Sequence, residues 1–325
     1  MPALATKLLQ PLPPDELRRL RRRLLRWFDR NRRDLPWRSD RDPYHVWVSE
    51  IMLQQTRVAV VKDRYIDFLR RFPTLERLAA AKLPHVLAAW SGLGYYRRAR
   101  ALHAAARQLA QAGAGVPQAA DELASLPGIG RYTAAAIASI AFNQRHAVVD
   151  GNVQRVLQRL LRVQERDLWR AAEGLLSPGR PGDFNQAMME LGATVCLPKS
   201  PLCGECPLLK WCRTRGAGKS QTHLPRRRKS IAYHLAIYKQ AVFLVRRGNH
   251  LSLMPGLWEL PQTRALADNP VLRLRHAITD TDYQVSVYRR RGANGSAGRW
   301  VRFSDIERLP LTGLTRKILR QSKFI

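Results

Sequence analysis

The chain has 325 residues and a mass of 37.1 kDa, which is more than one hydrophobic core usually holds, so two domains are expected. Lys and Arg number 56 against 25 Asp and Glu, a formal net charge of +31, which favours a polyanionic partner, nucleic acid first and anionic membrane second. With 45% hydrophobic residues the chain is not wholly disordered, and no apolar run is long enough for a transmembrane helix.

Residues 16–217 are predicted to be almost entirely helical. Segments such as DELRRLRRRLLRWFDR and RARALHAAARQLAQA carry apolar residues at intervals of three and four, which is typical of amphipathic helices. After the last cysteine, RTRGAGKSQTHLPRRRKS is polar, basic and poor in bulky residues, so it is predicted to be a linker. Beyond it, β-branched and aromatic residues alternate in short runs, which indicates strands.

The predicted fold class is therefore mainly α, followed by a C-terminal α+β domain. A helical domain is expected at residues 1–217, a basic linker at 218–230 and a smaller strand-containing domain at 231–325. The first residues contain no extended apolar stretch followed by a small-residue cleavage site, so a cytoplasmic protein is expected.

Glu50 is the first candidate functional residue, and it lies in a segment, residues 44–56, that is predicted to be a helix. It follows Val46 by four positions and Trp47 by three, so it shares the face that these apolar residues would bury. Burial raises the pKa of a carboxyl group, which allows the group to carry a proton near neutral pH. The alternative is a glutamate at a helix end or one paired with an arginine.

A turn with the sequence Leu-Pro-Gly-Ile-Gly joins two predicted helices at residues 126–130. Gly128 and Gly130 permit a tight hairpin after Leu126, and backbone N–H groups at the start of the next helix can then bind a phosphate oxygen. An ordinary helix–helix turn is the alternative. In so basic a chain the phosphate interpretation is favoured, and such contacts position a duplex without reading its sequence.

Asp150 is the second candidate carboxylate. It ends the apolar run Ala-Val-Val and precedes a predicted helix, so it occupies an N-cap position, and capping alone would explain it. Helix N–H groups at that position are expected to keep the carboxylate ionised. One neutral acid together with one ionised carboxylate is the combination that cleavage of a glycosidic bond uses.

The four cysteines of the chain all lie between residues 196 and 212, with the spacing Cys196-x6-Cys203-x2-Cys206-x5-Cys212. This clustering indicates one metal site and not scattered disulfides. Both an iron–sulfur cluster and structural zinc use four cysteines; the single short loop favours a [4Fe–4S] cluster, with zinc as the alternative.

Seven segments together resemble adenine DNA glycosylases of the MutY type, in the helix–hairpin–helix DNA glycosylase superfamily. The segments are LPWR at 35–38, WVSEIMLQQT at 47–56, GLGYYRRAR at 92–100, LPGIGRYTA at 126–134, VDGNVQRV at 149–156, FNQAMMELGA at 184–193 and the cysteine loop. The segments occur in the same order as in that family, and the match extends over nearly all of the first 215 residues. The resemblance implies two helical subdomains with a DNA-reading cleft, and excision of adenine opposite 8-oxoguanine or guanine from double-stranded DNA.

The resemblance also implies roles for individual residues. Glu50 would protonate the adenine, and Asp150 would stabilise the cation at C1′ of the sugar. Tyr132 and Asn152 match positions that support the sugar and Asp150. Positions lining the adenine pocket are Arg33, Arg38 and Gln186, and positions of the wedge that fills the base stack are Gln54, Gln55 and Tyr95.

One position bears on strand cleavage. Related endonuclease III-type enzymes have a lysine nucleophile directly after the arginine of the hairpin motif, and this chain has Tyr132 there. Without an amine no Schiff base forms, so a monofunctional glycosylase is expected. A bifunctional glycosylase/lyase of the endonuclease III type and a non-catalytic iron–sulfur DNA-binding protein are the alternatives. A monomer without membrane association is expected.

The segment LMPGLWELPQ at residues 253–262 resembles part of the Nudix-like domain that follows the catalytic domain in this family. No acidic Nudix box is present in the sequence, so pyrophosphatase activity is not expected. The family's Phe-Ser-His loop, which recognises 8-oxoguanine, maps onto Ile278-Thr279-Asp280. Thr279 keeps a hydroxyl, but Asp280 brings a negative charge; a simple hairpin turn is the alternative.

Overall fold

The computed structural model describes residues 12–215, 226–248, 250, 251, 253–264, 269–278, 280–292 and 297–325. None of the helices in these ranges is both long and apolar enough to cross a membrane. The helices are α1 (Pro14–Asn31), α2 (Pro43–Leu53), α3 (Val58–Arg71), α4 (Leu75–Ala80), α5 (Leu83–Ala89), α6 (Arg97–Gln111), α7 (Ala120–Ser125), α8 (Arg131–Phe142), α9 (Gly151–Leu161), α10 (Leu168–Leu175), α11 (Pro181–Thr194) and α12 (Gly313–Gln321). The strands are β1 (Arg227–Tyr238), β2 (Ala241–Arg246), β3 (Trp258–Glu259), β4 (Gln262–Thr263), β5 (Leu272–Ile278), β6 (Thr281–Arg290) and β7 (Gly298–Arg302).

Two compact units make up the structure, and each combines two stretches of the chain. The first contains residues 1–55 and 108–222, and the second contains residues 56–107 and 223–325. The compact units therefore do not follow the chain order in which the sequence predicts the domains. The predicted boundaries at 217 and 231 stay a prediction.

Helix α11 is the centre of the first unit, because it packs on α1, α8 and α9. Two glycines permit this close packing. A Cβ atom at Gly182 would collide with the carbonyl oxygen of Ser139 in α8, and one at Gly192 would lie 2.6 Å from Cβ of Asn152 in α9. Small residues near both ends of α11 thus bring together α8 and α9, the two helices that begin at the candidate site residues.

Replacing Gly192 by alanine is expected to destabilise the protein by about 1–3 kcal/mol, because the added methyl group forces Asn152 to shift. Urea unfolding measures the change. Gly174→Ala in α10 is the control, since nothing lies within 4 Å of its Cβ position and alanine is the better helix former. Equal stability of the Gly192 variant and the unmodified protein would contradict the packing argument.

The second unit contains a mixed sheet with the strand order β3-β2-β1-β6-β5. β1 runs parallel to β6, whereas β2 pairs antiparallel with the end of β1, and β5 pairs antiparallel with β6. Apolar side chains from these strands and from α12 form one core, which includes Tyr233, Leu235, Val242, Leu244, Val285, Val287, Ile318 and Leu319. The predicted change from helices to a strand-containing C-terminal region is confirmed.

Two details of this region differ from the sequence-based expectation. β1 begins at Arg227, inside the segment predicted to be a linker, because its parallel register with β6 extends from the pair Arg227–Thr281 to the pair Ala236–Arg290. β5 was not predicted as a strand. It lies at an edge of the sheet, and its residues alternate between half-buried and exposed, but Ile278 is its one β-branched residue and it contains no Phe, Trp or Tyr.

Buried polar contacts join the two stretches of the second unit. The hydroxyl of Tyr96 donates to the carbonyl oxygen of Leu311 at 2.9 Å, and Nε of Arg316 donates to Oγ of Ser91 at 2.9 Å. Tyr96, Ser91 and Arg316 are all buried. The segment 91–96 therefore depends on the C-terminal region for its polar partners.

Candidate active site

Glu50 lies on α2 and is buried, as its position on the apolar face predicts. α2 starts with Asp42, whose side chain accepts the N–H groups of Tyr44 and His45 at 2.9 and 3.0 Å. Only 6% of Glu50 is exposed, and burial raises the pKa of its carboxyl group to about 7. A hydrogen bond with Tyr132 opposes this rise. The carboxyl group can therefore hold a proton near neutral pH.

Asp150 is the N-cap of α9, as predicted. Its Oδ1 accepts the N–H of Val153 at 2.7 Å, and its Oδ2 accepts Nδ2 of Asn152 at 3.1 Å. Burial raises the pKa of Asp150, while these hydrogen bonds and the nearby Arg155 act in the opposite direction, so the expectation that the cap keeps Asp150 ionised stays a prediction. The charge of Asp150 in turn raises the pKa of Glu50, which shows that the two carboxyl groups are close enough to influence each other.

Tyr132 completes this group of side chains from the first turn of α8. It is hydrogen-bonded with Glu50, and burial together with the two nearby carboxyl groups raises its pKa well above the ordinary value. Its hydroxyl also lies 3.2 Å from Sδ of Met189 on α11. The structure thus places three of the predicted residues in one polar site, in which Glu50 is buried and Tyr132 and Asp150 are half-buried.

The predicted pocket residues Arg33, Arg38 and Gln186 meet around a residue that sequence reasoning missed, Glu190. Nε and Nη2 of Arg33 donate to Glu190 at 2.7 and 2.9 Å, and Nη2 of Arg38 donates to it at 2.9 Å. Nε of Arg38 also donates to Oε1 of Gln186 at 3.1 Å. These arginines outweigh the effect of burial and lower the pKa of Glu190 to about 2. The spacing of Gln186 and Glu190, one helical turn, was the available signal.

Arg155 is a second residue that sequence reasoning missed. Its Nη2 donates to Oδ1 of Asn152 at 2.9 Å and to the carbonyl oxygen of Gly192 at 2.6 Å, and its Nε donates to the carbonyl oxygen of Cys196 at 2.8 Å. Arg155 therefore connects the side chain that supports Asp150 to the first cysteine. In the sequence it stands three positions after Asn152 with no other distinguishing feature.

Two of the predicted wedge residues directly follow α2. Gln54 is the C-cap of this helix, and its Nε2 donates to Oγ1 of Thr133 at 3.1 Å. Gln55 has a φ of +54°, a left-handed conformation that is uncommon outside glycine and often found at functional sites.

Tyr95, the third wedge residue, lies in the second unit. Its φ is also in the left-handed region, at +45°, and the guanidinium group of Arg98 lies 5.3 Å from the centre of its ring. Thr279 lies outside the described residues. Its neighbours Ile278 and Asp280 end β5 and precede β6, and Asp280 is exposed and forms an ion pair with Arg227 at 3.6 Å.

The hairpin motif forms as the sequence predicts, between α7 and α8. Leu126 and Ile129 are buried, which anchors the turn, and Gly128 has a φ of +79°, a conformation that favours glycine. Gly130 is the N-cap of α8, and the space where its Cβ would lie is open. Among the described residues, no side chain caps this end of the helix. The first backbone N–H groups of α8 therefore remain available to an anion.

The four cysteines, Cys196, Cys203, Cys206 and Cys212, follow α11 and surround one volume. Burial first, and then the other three thiols, raise the pKa of Cys206 to about 11, so the four thiols lie close enough to influence one another. Among the described residues, no three His, Cys, Asp or Glu side chains converge on a position for a single ion. Four thiols in one short loop are the donor set that an iron–sulfur cluster uses.

Two family models match the chain at this point. The model of the HhH-GPD superfamily of base excision DNA repair proteins matches residues 48–178, which include Glu50, the hairpin and Asp150. The model of the iron–sulfur binding domain of endonuclease III matches residues 196–212. The predicted iron–sulfur site and the predicted helical superfamily are both confirmed.

A solved structure and several relatives agree with these matches. A thermostable thymine-DNA glycosylase superposes with a TM-score of 0.58 at 30% identity, covering 62% of this chain and 97% of the other. The adenine DNA glycosylase of Homo sapiens is 50% identical over 218 residues, and that of Rattus norvegicus 52% over 211. These matches cover 62% and 59% of this chain but only 40% and 41% of the mammalian proteins.

A bacterial relative is matched over more of its length. The adenine DNA glycosylase of Buchnera aphidicola subsp. Baizongia pistaciae is 37% identical over 254 residues, which cover 74% of this chain and 72% of that protein. On this coverage and identity, the chain belongs to the adenine DNA glycosylase family.

Proposed function

We propose that this protein is a base-excision repair enzyme that hydrolyses the N-glycosidic bond of adenine mispaired with 8-oxoguanine or guanine in double-stranded DNA. The observation that carries the proposal is the pairing of Glu50, with a pKa of about 7, and the nearby Asp150. A carboxylic acid that is protonated near neutral pH beside a second carboxyl group is the arrangement that glycosidic hydrolysis uses. Membership of the adenine DNA glycosylase family supports adenine as the base.

Glu50 acts as the general acid in this reaction. The adenine is flipped out of the base stack, and Glu50 donates its proton to N7, so that the bond between N9 and C1′ breaks with a neutral base as leaving group. Asp150 stabilises the positive charge that develops on C1′. Water then bonds to C1′, and one of its protons restores the acid. Asn152, held by Arg155, keeps Asp150 in place.

The pocket for adenine is formed by Arg33, Arg38 and Gln186, with Glu190 holding both arginines. Since two guanidinium groups share this carboxylate, their orientation is fixed before the base arrives, and less ordering is needed on binding. The amide of Gln186 and the arginine donors provide the hydrogen-bonding groups that an extruded purine requires.

Tyr132 supports a monofunctional enzyme. The phenol of Tyr132 forms no Schiff base, and its hydrogen bond with Glu50 gives it a different task. We therefore expect the product to be an intact strand with an abasic site. Strand cleavage by the purified protein alone would favour the endonuclease III-type lyase instead.

Gln54, Gln55 and Tyr95 are proposed to fill the gap in the stack and support the opposite base, and the C-terminal region is proposed to be a Nudix-like domain that senses that base. Aromatic and amide side chains suit this role, because they stack on bases or hydrogen-bond to them. The negative charge of Asp280 near the proposed Thr279 contact predicts a weaker preference for 8-oxoguanine over guanine. Excision rates opposite the two bases measure it.

The four cysteines hold the iron–sulfur cluster, which gives the loop its rigid shape, and no step of the reaction is assigned to it. Arg159 contributes to the same loop, since its Nη1 donates to the carbonyl oxygen of Leu197 at 2.7 Å and lies 3.4 Å from Sγ of Cys196. We further propose a monomer that works on the chromosome in a bacterial cytoplasm.

Asp150→Asn tests the proposal. The variant is expected to lose about 10²–10³-fold in the single-turnover rate of adenine release, because the charge that stabilises the cation is removed. Asp42→Asn is the matched control, since Asp42 also caps a helix but is exposed. The substrate is a duplex with one adenine opposite 8-oxoguanine, and strand scission after alkali counts the abasic sites.

The same assay distinguishes the proposed glycosylase from the alternative, a non-catalytic DNA-binding protein. If neither the unmodified protein nor the variants release adenine, while all of them bind duplex DNA, the chain is a non-catalytic DNA-binding protein. A full rate in Asp150→Asn would remove Asp150 from the mechanism.

A further inference from the structure

Helix α1 presents an unusual density of arginine on the surface of the first unit. Its 18 residues contain seven arginines and three carboxylates. Leu20, Leu24 and Phe28 are buried, and α1 packs on α11, so the arginines occupy the opposite face. None of these arginines takes part in the active site described above.

Four of the seven arginines are unpaired. Arg18 and Arg19 pair with carboxylates on the same helix, and Arg21 donates to backbone carbonyl groups of α10. The remaining four have no hydrogen bond or ion pair with any described residue, and all four are exposed. They are Arg22, Arg23, Arg26 and Arg30.

A groove of about 630 Å³ runs along this face, between α1 and the cysteine loop at residues 204–211; we call it the arginine groove. All four unpaired arginines line it, together with Arg19, Lys210 and the rings of Trp27 and Trp211. The only carboxylate among its lining residues is Glu205. The groove therefore combines a high positive charge with flat aromatic surfaces.

The two walls of the arginine groove are fixed to each other. Nε1 of Trp211 donates to Oε2 of Glu16 at 2.6 Å, and Lys210 forms an ion pair with the same carboxylate at 3.4 Å. The hydrogen bond from Trp211 lowers the pKa of Glu16, so this link is intact at neutral pH. Because the cysteine loop is attached to α1 in this way, the groove exists before any ligand binds.

A second groove of about 620 Å³ lies along α1 beside Ser177, Pro178 and Arg180, and it is less suitable for a polyanion. Asp15 and Asp29 line it, and these carboxylates already pair with Arg18 and Arg180. Arg22 and Arg26 line both grooves, whereas Arg23 and Arg30 line only the groove that faces the cysteine loop.

The geometry of the arginine groove fits a nucleic acid strand. Arg19 to Arg30 span about 16 Å along the helix axis, which is the rise of about five nucleotides in one strand of a duplex. Guanidinium groups match phosphate oxygens bidentately. No leucine, isoleucine, valine or methionine lines the groove, which disfavours a protein partner that would need an apolar centre.

We propose that the arginine groove binds the phosphodiester backbone of nucleic acid at a place separate from the adenine pocket. The inference rests on the proposed function in that duplex DNA is the ligand, but it concerns a surface that takes no part in excision. The phosphates belong either to the same duplex, beyond the lesion, or to a second duplex.

The double variant R23Q/R30Q tests the arginine groove, because Arg23 and Arg30 line this groove and not the second one. R166Q/R170Q is the matched control, because it removes the same charge from arginines that are about 70% exposed and lie next to Asp167 in the same unit. Binding of undamaged duplexes of about 15 and about 40 base pairs is measured by fluorescence anisotropy over a KCl series. Circular dichroism verifies that both variants are folded.

R23Q/R30Q is expected to reduce the slope of log K against log salt by about two, since each lost phosphate contact accounts for about 0.9. R166Q/R170Q is expected to leave the slope as in the unmodified protein. If the effect is seen only with the longer duplex, the phosphates belong to the duplex that is already bound at the adenine pocket. If the variant loses a second bound equivalent of the short duplex, the phosphates belong to a second duplex.

Two results would overturn the proposal. An unchanged slope in R23Q/R30Q would mean that the arginine groove does not bind DNA and is open to an acidic protein instead. An equal reduction of the slope in both double variants would mean that only the net charge of the protein matters and not the arginine groove. The single-turnover rate of adenine release with saturating protein should be the same in all three proteins. If adenine is not released at all, the proposed function fails while the slopes still decide about the groove.

Discussion

Glu50→Gln is expected to lower the single-turnover rate of adenine release by about 10³-fold, within the range by which general acids accelerate such reactions. The glutamine keeps the size of the side chain and a hydrogen bond to Tyr132, but it has no proton to donate to the base. In the unmodified protein, the rate should fall as pH rises through about 7, because the acid then loses its proton. Rates measured between about pH 5 and 9 give the profile.

The same substitution, Glu50→Gln, lowers the rate of adenine release but should raise the stability of the protein at high pH. The pKa of Glu50 is about 7 in the folded protein and 4.5 in its ordinary state, so the folded protein binds the proton more tightly. The unmodified protein therefore loses stability as pH rises from 4.5 to 7, and Glu50→Gln should gain about 3 kcal/mol at pH 8 and nothing at pH 4. Urea unfolding at the two pH values measures this difference.

Glu165→Gln is the control for Glu50, since Glu165 is exposed and its replacement should alter neither activity nor the pH dependence of unfolding. If Glu50→Gln were destabilised equally at both pH values, the glutamate would be important for packing and not for its proton. Retention of the full excision rate would exclude Glu50 as the acid.

Glu190→Gln is expected to destabilise the protein by about 3 kcal/mol at neutral pH, because it leaves Arg33 and Arg38 without the buried carboxylate that they share. The pKa of Glu190 is lowered to about 2, so its contribution is present above the ordinary value of 4.5 and is lost as pH falls towards 2. Urea unfolding at pH 7 measures the loss, and the variant should show a smaller decrease in stability between pH 4.5 and 3.

Glu173→Gln is the matched control for this network. Glu173 also pairs with an arginine, Arg131, at 3.4 Å, but both side chains are more than half exposed. Such pairs contribute at most about 1 kcal/mol. If the two variants were equally stable, the arginines around Glu190 would have found other partners, and the idea of a pre-oriented adenine pocket would fail.

The local features of the site could be predicted from the sequence. Glu50 is buried because its neighbours at three and four positions are apolar, and Asp150 caps α9 because it directly precedes a helix. The turn at Gly128 needs a positive φ that glycine adopts easily. Each of these inferences uses residues that are close in the chain, where helix geometry alone fixes which side chains share a face.

Features that depend on distant residues could not be predicted in this way. Glu190 lies 157 positions from Arg33, and nothing in either local segment indicates that they meet. The direction of the pKa shift of Asp150 depends on how much protein surrounds it, which a capping motif does not reveal. The edge strand β5 was missed because Ile278 is its only β-branched residue and it has no Phe, Trp or Tyr, so only its pairing with β6 identifies it as a strand.

The sharing of the second unit between residues 56–107 and the C-terminal strands has a consequence for domain exchange. The helical and strand-containing regions follow each other in the sequence, but they cannot simply be exchanged one at a time. Ser91 and Tyr96 form hydrogen bonds with Arg316 and Leu311 of the C-terminal region. A chain ending near residue 226 would remove these partners and leave Ser91 and Tyr96 with their 3.5 Å contact to each other, directly beside Tyr95. A chimera with a foreign C-terminal domain should therefore keep an arginine at the position of Arg316 and a carbonyl group at the position of Leu311. Without them, the exchange would also alter the segment that contains Tyr95.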